Sequence, residues 1–109
     1  MIYIVDIDNT ICLTQKDADG KWDYPNSKPH VHRVNHINKL YDEGNTIIYW
    51  TARGSGSGID WTELTTQQLD SWGCKYHEVR LGKPSYDIWI DDKAFNDQHF
   101  FGFDCKLTV

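Results

Sequence analysis

Residues 1–10 read MIYIVDIDNT, and the order of apolar and acidic residues in them decides the fold. Ile2, Tyr3, Ile4 and Val5 form a short apolar run that stops at Asp6, the pattern of a strand buried on both faces. Comparable runs follow at Thr46 to Trp50 (TIIYW), at Tyr76 to Leu81, and at Ile88, Trp89 and Ile90, the last stopping at Asp91-Asp92. Between the first two runs, Val31, Val34, Ile37, Leu40 and Tyr41 recur at helical spacing, with Gly44 where a C-terminal cap belongs. A second helix is predicted from about Asp60, as N-cap, to Trp72, with Trp61, Leu64, Leu69 and Trp72 on one face and Gly73 at its end.

Strands alternating with helices imply an α/β fold, a Rossmann-like parallel sheet with right-handed crossovers and helices on both faces. The 109 residues suit one domain, 1–109, with a polar stretch at about 12–29 (Asp19-Gly20, Pro25, Pro29) forming a short hairpin or flap. Five Trp, six Tyr and four Phe supply a core. A net charge of −5 counts against a general nucleic-acid or anionic-membrane binder. No stretch approaches the ~20 consecutive apolar residues of a membrane span. The N-terminal run lacks a basic leader and is broken by carboxylates, so it reads as a strand rather than a signal peptide. Cys12, Cys74 and Cys105 are odd in number and widely spaced, which argues for reduced thiols in a cytoplasmic protein over disulfides or a paired-cysteine zinc site.

In parallel sheets the ligand site lies beyond the carboxyl ends of the strands. The residues there are Asp6 with Asp8, Thr51, the segment around Lys83, and Asp91-Asp92. Carboxylates that converge repel one another unless a cation sits among them, and a hard ion such as magnesium answers that need while leaving room for phosphate oxygens. Thr51 and Lys83 then supply a hydroxyl and a positive charge for the phosphate. Each feature alone has a plain structural reading, as a turn former, a strand end or an exposed lysine. Four of them at four strand ends carry more weight. Gly54, Gly56 and Gly58 have neither nucleotide-loop spacing, and His30, His32 and His36 lack a third metal ligand.

At these residues the chain resembles the haloacid dehalogenase superfamily of phosphohydrolases. Asp6-Ile7-Asp8-Asn9-Thr10 is similar to its first motif, Thr51 in TIIYWTARG to its second, Lys83 in LGKPSYD to its third, and Asp91-Asp92 in DIWIDDK to its fourth. The TARG and GKPSYDIWIDD segments resemble small members without a cap domain, associated with capsule or surface-sugar genes. The resemblance implies a phosphomonoesterase in which Asp6 attacks phosphorus to form an aspartyl-phosphate. Asp8 acts as acid and then base. Thr51, Ala52 and Lys83 hold the phosphate, and Thr10 supports the first loop. The resemblance further implies Mg2+ held by Asp6, the main-chain carbonyl of Asp8, and the pair Asp91 and Asp92. Arg53 is expected to contact the substrate, a small sugar or polyol phosphate. A second copy of the chain is a possible cover for the open site. The alternatives are a polynucleotide end-phosphatase and, in a different class, a non-enzymatic phospho-receiver. The order of motifs, with the DxD pair first and the acidic pair last, counts against the receiver.

Overall fold

The computed structural model describes residues 1–102, 105 and 107. Its elements are β1 (Ile2–Val5), β2 (Cys12–Leu13), a 3-10 turn (Tyr24–Asn26), β3 (Lys28–Pro29), α1 (Val31–Asp42), β4 (Thr46–Trp50), α2 (Thr62–Ser71), β5 (Glu78–Arg80) and α3 (Asp97–Phe101). The fold is α/β. A parallel sheet runs in the order β1-β4-β5, with Ile2 opposite Thr46 and Trp50 opposite Arg80. The polar stretch is a hairpin: β2 pairs antiparallel with β3, and Lys16 bridges Trp22 nearer the tip.

The first helix forms where the periodicity placed it. His30 caps it by accepting the Arg33 N–H at Nδ1, Val34 and Ile37 are buried, and Gly44 takes the left-handed turn (φ 94°) that ends such a helix without a Cβ clash. The second helix begins at Thr62, where the Asp60 carboxylate accepts the Thr62 N–H at 2.9 Å. Its buried residues are Thr65, Gln68 and Leu69; Trp61, Leu64 and Trp72 of the expected apolar face are only half-buried.

The core lies against one face of the sheet. Val5, Ile47 and Tyr49 point into it with Val34 and Ile37 of α1 and Leu69 of α2, and Phe100 and Phe101 of α3 pack at its margin. On the opposite face Ile2 is 70% and Ile4 57% exposed, and Glu78 and Arg80 are open to solvent. The expectations that β1 is buried on both faces and that helices cover both are therefore not met, because the three α-helices described all join the same core.

The run Ile88–Trp89–Ile90 makes no strand. The rings of Trp50 and Trp89 meet edge-on at 6.0 Å, and Tyr86 and Trp89 at 5.0 Å. These contacts hold the segment over the carboxyl end of β4, leaving Ile88 and Ile90 exposed. Among the described residues no helix is long and apolar enough to cross a membrane.

Candidate functional site

The loop after β1 turns sharply so that several polar groups share one small space. Asn9 adopts φ 58°, a conformation its short amide tolerates, and its side chain accepts the Thr14 N–H at 3.1 Å. The N–H groups of Thr10 and Ile11 both bond to the Ile7 carbonyl, and Ile7 and Ile11 are fully buried. The loop is thereby anchored by its apolar residues, and Asp6 and Asp8 emerge on its outer side.

Asp6 accepts the Thr10 hydroxyl at 3.1 Å and lies 3.4 Å from Lys83 Nζ. Burial raises its pKa above the ordinary aspartate range. Lys83, the Ile7 N–H and the Thr10 hydroxyl pull the other way without cancelling it, and the nearby Asp8 charge adds to the rise. Lys83 is brought to this point by a backbone bond from its N–H to the Thr51 carbonyl, and its ammonium also lies over the rings of Tyr86 and Trp89. Thr51 is buried at the end of β4, its hydroxyl accepting the Arg53 N–H at 3.1 Å, with Ala52 half-buried beside it. Asp6, Thr51 and Lys83, from the segments that follow β1, β4 and β5, therefore lie side by side.

Asp8 has different company. Arg53 grips it with both sides of its guanidinium, Nε to Oδ2 at 2.9 Å and Nη2 to Oδ1 at 2.8 Å, while the Thr14 hydroxyl donates to Oδ1 at 2.6 Å. Arg53 is only 2% exposed. Its Nη1 donates to Gln68 at 2.6 Å and Thr65 at 3.2 Å, and the Tyr24 ring covers its face at 4.8 Å. The expectation that Arg53 meets the substrate is thus corrected: its nitrogens are occupied inside the protein. Thr14, Ser27, Thr65 and Gln68 are not singled out by the sequence, and Tyr24, which with Trp22 the sequence offers as an aromatic to close over substrate, lies over the Arg53 guanidinium. Polar residues three apart in a helix normally face water, and only a buried arginine gives Thr65 and Gln68 a reason to turn inward.

Asp91 and Asp92 do not join Asp6 and Asp8. The Asp91 carboxylate closes its own turn, accepting the Lys93 N–H at 2.9 Å and the Trp89 indole N–H at 3.4 Å, which holds its pKa below the usual range. The aromatic contacts that pin Trp89 at Trp50 keep this turn in the exposed loop. Among the described residues no group of three or more His, Cys, Asp or Glu side chains is placed to hold a metal ion. The Asp91-Asp92 pair therefore stands apart from Asp6 and Asp8, with which the resemblance groups it around magnesium. Asp6 and Asp8 are balanced here by Lys83 and Arg53, one cation each.

Beside the site an open groove of about 220 Å³ runs between the loop Arg53–Thr62 and Leu81-Gly82. The fold and site together describe a small α/β protein with a charged, hydroxyl-bearing site at the carboxyl end of a parallel sheet. A solved structure from Vibrio cholerae, a structural-genomics target, is similar to it with a TM-score of 0.75 and 27% identity, over 92% of this chain and 86% of that one. No family model matches the chain, and no curated protein matches it.

Proposed function

We propose that the protein is a phosphomonoesterase of the haloacid dehalogenase type, working through an aspartyl-phosphate on Asp6. The observation that carries this reading is the 3.4 Å approach of Lys83 to Asp6, which joins the third motif of the sequence to the first. A carboxylate with a fixed ammonium beside it and an open side toward solvent is suited to meet a phosphate dianion. Lys83 reduces the repulsion between the two anions, and Thr10 fixes the carboxylate from below.

In the first step an Asp6 oxygen bonds to phosphorus while the bond to the leaving oxygen breaks, and Asp8 gives that oxygen a proton. In the second, Asp8 takes a proton from a water that attacks phosphorus, freeing Asp6 and inorganic phosphate. A magnesium ion belongs to the reading as counter-charge, yet it does not fit the arrangement described, since Asp91 and Asp92 are not gathered with Asp6. The reading takes a small sugar or polyol phosphate as substrate, because hydroxyl and carboxyl side chains (Ser55, Asp60 and Thr62) line the groove beside Arg53.

The test is phosphate release, with and without added magnesium. The panel holds p-nitrophenyl phosphate and sugar, polyol, nucleotide and 3′-phosphorylated oligonucleotide substrates, with Asp6→Asn as control. Turnover by the wild type and none by Asp6→Asn supports the proposal. A stable phosphoprotein without turnover favours the receiver, and turnover retained by a clean Asp6→Asn preparation removes Asp6 as nucleophile.

A further inference from the structure

Arg53 is the least expected member of the site, a charged side chain almost wholly out of water. Burying a guanidinium is costly unless its donors are met, and here each of its nitrogens has a partner. Two of its bonds form a fork on one carboxylate, the geometry in which arginine fixes both position and rotation. The remaining partners come from two separate elements. Gln68 and Thr65 lie on α2, and Gln68 in turn donates through Nε2 to the Tyr24 carbonyl at 2.6 Å. Tyr24 and Ser27 belong to the hairpin, where Ser27 lies 2.7 Å from the Thr14 hydroxyl.

We infer that Arg53 is a positioning residue for Asp8, held in place by Gln68 and Thr65, and that it leaves Asp8 Oδ2 as the oxygen that carries the transferred proton. The inference rests on the phosphatase reading. The oxygens of Asp8 are not equivalent. Oδ1 accepts from both Arg53 Nη2 and the Thr14 hydroxyl, whereas Oδ2 accepts from Arg53 Nε alone. Carboxylate oxygens have two acceptor sites each, so Oδ2 keeps one open and Oδ1 does not. When Oδ2 gives its proton to the leaving oxygen, the charge left on Asp8 already faces a guanidinium. No reorganisation is needed at that moment. Lysine cannot reproduce the fork, because it offers a point charge without the paired planar donors.

The consequence is a dependence on the leaving group. A general acid matters greatly for an alkyl phosphate, whose alkoxide is a poor leaving group, and little for p-nitrophenyl phosphate, whose phenolate leaves unaided. Arg53→Lys is therefore expected to lower kcat on an alkyl or sugar phosphate by about 100-fold, the scale of general acid catalysis. The loss on p-nitrophenyl phosphate should be about tenfold smaller than that, with KM little changed for either. Gln68→Leu, which keeps Arg53 and frees one of its anchors, should show a smaller loss with the same substrate bias, and it serves if Arg53→Lys does not fold. Equal losses on both substrates, or no loss in either variant, overturn the positioning role. A wild type inactive on every substrate overturns the phosphatase reading, and the positioning role falls with it. Activity that is abolished by Asp6→Asn but indifferent to Arg53 and Gln68 overturns the positioning role alone.

Discussion

Asp6 stands at the end of a strand with one side of its carboxylate against the protein, and that partial burial keeps its pKa above the ordinary aspartate value. An acid whose folded pKa exceeds its unfolded one binds its proton more readily in the fold, so ionising it costs stability. That cost is absent below the unfolded pKa, grows as pH rises through the folded pKa, and stays constant above it. Asp6→Asn should accordingly melt at a higher temperature than the wild type at pH 7, the gain vanishing when both are melted at a pH below that of a free aspartate. Melting curves at the two pH values check it, and a lower melting temperature for the variant at pH 7 refutes it. Arg33 is the second buried cation, 1% exposed, and it donates to Asp97 at 2.6 Å and to the Thr10 and Cys105 carbonyls. Removing one partner of such a pair leaves a charge uncompensated, and Asp97→Ala should cost about 3 kcal/mol in denaturant unfolding. Asp6, Thr51 and Lys83 were legible because strand ends in a parallel sheet announce themselves in the sequence. The partners of Asp8 were not. Thr65 and Gln68 sit in TELTTQQ, a stretch that reads as a solvent face until Arg53 is known to be buried beneath it.

The loop between β4 and α2 shows how much an element can hang on one residue. Gly54 has φ 83°, and a Cβ built on it would come within 2.1 Å of the Ile59 carbonyl oxygen. That oxygen is backbone and cannot step aside, so Gly54→Ala should displace the loop that seats Arg53 and destabilise the fold by more than about 1 kcal/mol, whereas an unstrained glycine-to-alanine replacement stabilises slightly. Gly56 has open space around it and serves as the neutral control in the same thermal melts. Helix α1 and strands β1 and β4 followed from periodicity, since each carries several apolar residues in one unbroken pattern. The run at 88–90 had three residues and no such redundancy. There the pairing of Trp89 with Trp50 and Tyr86 outweighed the strand pattern, and the acidic pair behind it was carried into the loop.

Across the whole molecule, order is uneven. From Leu81 to Asn96 no regular element forms, and Tyr86, Trp89 and Phe95 are 48%, 41% and 75% exposed. Limited chymotrypsin treatment should cut first in this stretch, ahead of the aromatics of the core, and mass spectrometry of the earliest fragments would show it. The thiols divide in the same way. Burial pushes Cys12 up to about 12 and Cys74 up to about 11, while Cys105 is partly open to solvent. In the folded protein at pH 8, Ellman's reagent should therefore titrate one thiol quickly and the other two only after denaturant is added. The contacts of Arg33 bear also on how the chain is made. Its guanidinium braces the carbonyl of Thr10, whose hydroxyl braces Asp6, and its other partners lie 64 and 72 residues further along. Synthesis proceeds from the N-terminus at roughly 5–20 residues per second. The loop that bears Asp6 is thus made several seconds before the residues that complete its support.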